Sequence, residues 1–226
     1  MGIWPFKRRI ALQSSGIFDG FTDWHSHVLP GVDDGVRTMS ESLSILGCYE
    51  RLGISELWCT PHIMEDMPNT TSRLREVFSE LQEAYSGGIR LRLASENMLD
   101  NLFGERLEAG DLLPLGDDGS RLLVETSYFN PPMDLHEILR RIKSRGYVPV
   151  LAHPERYMYI AHTEYAQLKA EGVEFQLNLP SLSGFYGKHA RAKAEWLRRR
   201  RFYEYMGTDV HNLHMAESFF DKNEKK

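Results

Sequence analysis

Short runs of apolar, β-branched and aromatic residues recur along the chain, each followed by a polar loop and then by a stretch with helical spacing of its apolar positions. The runs at 21–25 (FTDWH), 55–60 (SELWCT), 89–95 (IRLRLAS), 121–126 (RLLVET), 147–152 (YVPVLA), 173–178 (VEFQLN) and 203–208 (YEYMGT) predict seven strands. Between them, periodicity predicts helices over 40–52, 71–86, 98–109, 134–145, 163–171 and 187–200, with Ser40, Ser72 and Asp134 as candidate caps. Strict alternation of the two element types favours parallel strands joined by helical crossovers, an α/β architecture. The long loops PGVDDGVRTMS, PHIMEDMPNTT, TSYFNPPM and NLPSLSGFYGK each follow the C-terminal end of a strand. In an α/β barrel that rim carries the chemistry.

A length of 226 residues with 42% hydrophobic positions suits one well-cored domain, with a core over about 20–215 and short tails. The net charge of −5 provides no basic footprint, so nucleic acid is not an expected partner. Arg198 to Arg201 form a basic run, but a helix scatters consecutive residues around its circumference, which makes them a solvated helix end. The two cysteines, Cys48 and Cys59, are too few for a disulfide framework. Neither a signal-peptide core nor a membrane span is expected, and a cytoplasmic enzyme fits these bounds. The N-terminal MGIWPFKRRI is basic and aromatic, and DKNEKK at the other end reads as a solvated tail.

Metal-type side chains recur at the ends of the expected strands: His25, His27, Asp34, His62, Glu96, Glu125, His153, Asp209 and His211. Each has an ordinary explanation alone, such as loop hydrogen bonding for His62 or exposure for Glu96. Recurrence at one end of strand after strand is different, because a barrel gathers those ends at one rim where charged groups need partners or cations. Imidazole and carboxylate without thiolate suit manganese, iron or zinc. Nine candidates exceed the needs of one cation and imply two or three, with Glu96 or Asp209 available as bridges. Such a cluster polarises a phosphoryl oxygen and activates water, so phosphoester hydrolysis follows. His136, His162, His189 and His214 read as surface residues. Trp24, Trp58, Phe175 and Tyr205 read as strand packing, and Tyr128, Phe129, Phe185 and Tyr186 as an aromatic wall for a substrate ring.

DWHSHVLPGVDDG (23–35), CTPH (59–62), ASENMLD (94–100), LLVETS (122–127), LAHPERY (151–157) and GTDVHN (207–212) resemble the polymerase and histidinol phosphatase (PHP) superfamily, in its bacterial tyrosine-phosphatase branch associated with capsular and exopolysaccharide synthesis. The resemblance implies a distorted seven-stranded (β/α) TIM-like barrel and a trinuclear, commonly manganese-loaded, centre. It would place His25, His27, Glu96 and Asp209 on one metal, Glu96, Glu125 and His153 on a second, and Asp34, His62 and His211 on a third. Asp34 is chosen over Asp33 because the family's aspartate directly precedes glycine, here Gly35. Arg156 is expected to grip phosphate oxygens with two parallel hydrogen bonds. A further arginine common after the last motif is missing from NLHMAESFF, with Arg37, Lys188 and Arg191 as the substitutes at hand.

The expected reaction is hydrolysis of phosphotyrosine on a protein, with a metal-bridging hydroxide attacking phosphorus in line and the phenolate leaving readily. A bacterial tyrosine kinase is the expected partner. The alternatives are a histidinol-phosphate-type phosphoesterase on the same cluster and a non-catalytic barrel that only binds. A cysteine nucleophile is not expected, since neither cysteine lies in a phosphate-cradling loop.

Overall fold

Every ladder between named strands of the computed structural model is parallel, which is what helical crossovers impose. Residues 16–219 are described, so the segments MGIWPFKRRI and DKNEKK lie outside them. The order is β1 (Thr22–Ser26), α1 (Met39–Leu52), β2 (Glu56–Cys59), β3 (His62–Ile63), α2 (Thr71–Ala84), β4 (Arg90–Leu93), β5 (Glu96–Met98), α3 (Asn101–Ala109), β6 (Arg121–Glu125) and α4 (Leu135–Ser144). Then come β7 (Val148–Ala152), a 3-10 turn (Pro154–Arg156), α5 (His162–Ala170), β8 (Glu174–Asn178), α6 (Leu179–Ser183), α7 (Gly187–Arg199), β9 (Tyr205–Gly207) and α8 (Leu213–Glu217). No helix among the described residues is long and apolar enough to cross a membrane.

The strands form two sheets, β1-β2-β4 and β3-β5-β6-β7-β8-β9, in place of the seven continuous strands expected. The expected runs 55–60 and 89–95 contain β2 and β4, and β3 and β5 are short additional strands just beyond their ends. After Cys59 the ladder meets Pro61, which has no N–H to donate, and strand pairing resumes at His62. After Leu93 the Ser95 N–H leaves the sheet for the Leu113 carbonyl at 3.2 Å, and β5 starts at Glu96. The sheet curls until its two ends meet: Ser26 bridges Val210, and the Asp209 N–H donates to the His25 carbonyl at 2.8 Å.

Strand alternation sends Leu122 and Val124 of β6 into a core cluster shared with α4 and α5, while Leu123 packs separately with Val150 and Ala152. A second large cluster joins Ile45 and Tyr49 of α1 to Leu74 and Leu81 of α2. Trp24 stacks on Trp58 at 5.5 Å and meets Tyr205 edge-on at 5.0 Å, while Phe175 is buried beneath the helices.

Helix starts differ from expectation. Thr38, not Ser40, caps α1 by accepting from the Glu41 N–H, and Thr70, not Ser72, caps α2. Each threonine lies two residues before the serine expected as the cap. Asp134 stands at the cap of α4 but makes no capping hydrogen bond. The helix expected from 98 starts at Asn101 because 96–98 joins the sheet, with Asp100 as its cap. The short helices α6 and α8 escape any periodicity test at five residues each.

Candidate metal centre

The nine candidate ligands converge at the C-terminal ends of the strands. His62 of β3 lies in register with Glu96 of β5, and Glu125 closes β6 opposite Met98. His25 Nε2 stands 3.1 Å from Glu96 Oε2, 3.5 Å from Asp209 Oδ1 and 3.1 Å from His27 Nε2. His27 Nε2 lies 3.3 Å from both Glu96 Oε2 and Asp209 Oδ1.

The imidazoles are aimed from behind. His25 Nδ1 faces Gln176 Oε1 at 2.9 Å, and the amide's orientation is set because its nitrogen donates to the Leu177 carbonyl. His25 Nδ1 therefore carries the proton, and Nε2 is the free donor. Asp33 does the same for His27, with Oδ2 2.8 Å from Nδ1, and it also accepts from the His62 and Gly35 N–H groups. The Asp33 side chain is fully buried against His27, while that of Asp34 is 61% exposed and faces His62 and His211. Asp209 is oriented by Asn178 Nδ2 and Arg156 Nη1, both 2.7 Å from Oδ2, leaving Oδ1 toward the histidines.

Backbone detail holds this arrangement. A Cβ on Gly35 would lie 2.4 Å from the His27 carbonyl, and one on Gly207 would lie 2.5 Å from His25 Cβ, so neither position admits a side chain. Three non-glycine residues among those described have positive φ, and two of them are His153 (33°) and Asp209 (53°). Strained backbone thus coincides with candidate ligands.

Three groups have donor atoms mutually within 4.8 Å: His25, His27, Glu96 and Asp209; His62, Glu96 and Glu125; and His27, Asp34, His62 and His211. The first matches the set implied by resemblance. In the second, His62 stands where His153 was expected, because His62 Nδ1 reaches Glu125 Oε1 at 2.9 Å while His153 Nε2 is 2.9 Å from Glu96 Oε1 but 3.9 Å from Glu125 Oε2. The third gains His27, and His62 Nε2 and His211 Nε2 lie 3.5 and 3.6 Å from Asp34 Oδ1.

These residues fit divalent cations. Four donors each about 2.1 Å from one cation are separated by about 3 to 3.5 Å, the spacing found in the first group. The His25 and His27 Nε2 atoms face each other at 3.1 Å, close enough to share one proton or to ligate one cation. Buried His153 Nδ1 has no hydrogen-bond partner among the described residues, and buried His62 Nδ1 and Glu125 Oε1 meet at 2.9 Å without hydrogen-bond geometry. Burial pushes the His25 imidazole down, but Glu96 and Asp209 beside it outweigh this and lift it to about 9. Burial raises the Glu96 carboxyl, but the surrounding histidines hold it well below the usual range. Protons hold the place that cations would take.

Above the donors opens a cavity of about 420 Å³. Arg156 lies on its wall between two aromatic faces, 4.3 Å from the Tyr128 ring centre and 4.1 Å from that of Tyr186. Those tyrosines clamp the arginine, whereas Phe129 and Phe185 are exposed. Glu155, next in sequence, is fully buried and accepts from the Asn178 N–H, Ser181 and Tyr203, which pins the turn carrying Arg156. His214 is exposed, as expected, and also lines the cavity; Arg37, Lys188 and Arg191 are not among the cavity-lining residues. His136 is engaged elsewhere by Glu164 and Glu171, and His162 stacks on Trp196. Cys59 is buried, and burial pushes its thiol up to about 12, which suits packing and not nucleophilic attack.

A sequence profile described as "Capsular polysaccharide synthesis, CpsB/CapC" matches residues 21–219, the span that contains every candidate ligand. The chain belongs to the CpsB/CapC family. This CpsB/CapC chain is 27% identical over 198 residues to the tyrosine-protein phosphatase YwqE of Bacillus subtilis, covering 84% of this chain and 77% of YwqE. It is 29% identical over 210 residues to the tyrosine-protein phosphatase CpsB of Streptococcus pneumoniae, covering 84% and 83%. Among solved structures it superposes with a TM-score of 0.80 at 25% identity, covering 87% of this chain and 81% of the other, on one reported with YwqE and CpsB as "unique metal-dependent tyrosine phosphatases". Mixed α/β elements on a curled parallel sheet are common to both.

Proposed function

We propose that this CpsB/CapC chain is a metal-dependent phosphatase that removes phosphate from tyrosine side chains of proteins, as its curated relatives are named for doing. The observation that carries the reading is the convergence of nine imidazole and carboxylate side chains, with buried donor atoms that make no hydrogen bond, beneath one open cavity. His25, His27, Asp34, His62, Glu96, Glu125, His153, Asp209 and His211 would hold up to three divalent ions, manganese first among them. When bound, such ions supply the charge that polarises a phosphoryl oxygen and acidifies water.

The chain's own residues do the remaining work. Arg156, with one nitrogen on Asp209 and both ring faces of its clamp in place, offers its other N–H groups to phosphate oxygens without having to order itself first. A tyrosine phenol has a pKa of about 10 and leaves with little help, so a dedicated acid is not required at the cavity wall. We read the two curled sheets as one distorted seven-stranded barrel, with β2 and β3 counted as one strand and β4 and β5 as another, in a single cytoplasmic domain. Its substrates would include a tyrosine kinase of the capsule or exopolysaccharide machinery.

The decisive experiment purifies the protein without chelators, measures metal by elemental analysis, and assays phosphotyrosine peptides, histidinol phosphate and an aryl phosphate before and after chelation. Turnover of phosphotyrosine restored by manganese is expected, and loss of orders of magnitude in Glu96→Ala and His153→Ala together with reduced metal content. Preference for histidinol phosphate, or full activity after chelation, would reject the reading.

A further inference from the structure

Beside the metal centre, a cleft of about 570 Å³ runs between α3 and α4. Its floor is apolar, made by Leu99, Phe103, Leu107 and Ile138, and its walls carry five acidic residues against one arginine, Arg141. Glu108 is held by Arg141 and Arg145, and Glu137 by Arg140. Glu105 and Asp134 have no ion-pair partner among the described residues, and Asp134 is also free of capping duty. The open charge on the walls is negative.

Gly104 lies inside α3 on this cleft, and a Cβ built there meets nothing within 4 Å. Internal packing therefore does not demand glycine, although glycine inside a helix weakens it relative to alanine. What the missing side chain provides is a bare stretch of helix backbone that another chain can approach closely.

No residue lines both the cleft and the catalytic cavity, but two segments of chain supply residues to each. β5 supplies Glu96 to the cavity and leads directly into Leu99 on the cleft floor. The loop after β6 supplies Tyr128 to the cavity and Pro132 and Met133 to the cleft. Met133 is five positions after Tyr128, so the two lie within about 18 Å, the reach of an extended peptide of about the same length. On that loop Phe129 is 73% and Met133 100% exposed, an apolar surface between the two openings.

We propose that this cleft docks the polypeptide flanking the phosphotyrosine: an extended segment that places an apolar side chain on the floor and lysine or arginine side chains against Glu105 and Asp134, about five residues from the phosphorylated tyrosine. The inference rests on the phosphatase reading for the position of the phosphotyrosine. Apolar floor and acidic wall select the flanking chemistry, and the glycine lets the peptide backbone lie against α3.

The test uses fluorescent peptides with one phosphotyrosine and, about five residues to either side, Leu-Lys-Lys or Leu-Glu-Glu, titrated by anisotropy against the full chain and assayed with manganese beside p-nitrophenyl phosphate. In one of the two registers the basic peptide should bind roughly tenfold more tightly than its acidic counterpart, with the difference shrinking as salt is raised. Gly104→Leu, which fills the cleft with a good helix former, and Glu105→Lys should each remove that difference while leaving p-nitrophenyl phosphate turnover and metal content unchanged. Equal binding of basic and acidic peptides in both registers, or a preference that survives both variants, overturns the proposal. The unphosphorylated basic peptide keeps the two readings apart. If it shows the same preference in a protein that hydrolyses no aryl phosphate, the docking cleft stands and the phosphatase assignment falls.

Discussion

Asp33 and Asp34 are adjacent, chemically identical and differently used: one steadies a histidine from within, the other faces the open cavity. Asp33→Asn keeps the shape but weakens the hold on the His27 ring, and a 10- to 100-fold loss of metal affinity is expected by isothermal titration, with the fold intact by circular dichroism. The Arg156 clamp can be probed in the same way. Tyr128→Phe preserves the ring face and should leave KM for an aryl phosphate near that of the parent, whereas Tyr128→Ala should raise it with metal content unchanged. Equal effects of the two variants would mean that the hydroxyl, and not the stacking, matters. The chemical type of the nine candidate ligands is legible in the sequence because histidine and carboxylate at strand ends are otherwise poorly explained. The roles of Gln176 and Asn178, and that of Asp33 behind His27, are not legible there, since they depend on partners brought close only by folding. Gln176 does leave a trace, as an amide between Phe175 and Leu177 in the strand VEFQLN.

At the scale of elements, alternation of strand and helix was readable because periods of two and 3.6 differ over a dozen residues, and the six long helices lie close to their expected spans. Breaks just after β2 and β4 were not readable, because Ser95 leaves the ladder for a carbonyl on a distant loop. These breaks matter to the site: each is followed within two residues by a candidate ligand, His62 or Glu96, so the chain changes course just where a side chain must be re-aimed. The true start of α1 gives a separate test. Thr38 caps the helix, and Glu41 accepts from the Leu213 N–H at the start of α8. Thr38→Ala should cost about 1 kcal/mol and lower Tm by about 2 to 4 °C in a chain of this size, while Ser40→Ala should change little. Gly104→Ala in α3 should do the reverse, stabilising by up to about 1 kcal/mol.

For the whole molecule, the charge balance of the metal centre sets the pH response. In metal-free protein the His25 imidazole has a pKa lifted to about 9, above an unfolded value near 6.5. Its stabilising contribution is complete below pH 6.5 and is lost as pH rises toward 9. Thermal melts of metal-free protein should therefore decline across that window, and manganese should abolish the decline while raising Tm. Calorimetry in two buffers of different ionisation enthalpy should reveal proton release on metal uptake near neutral pH; no buffer dependence would contradict a centre whose cations replace protons. Finally, the Asp209 N–H bonds the His25 carbonyl, and Ser26 bridges Val210, so residues nearly two hundred positions apart complete the same wall. A ribosome making this protein must therefore deliver the GTDVH stretch before the ring can shut, and the donor group that includes Asp209 cannot be complete before then. Nascent chains arrested before that stretch should hold fewer manganese ions than the released chain at the same ion concentration.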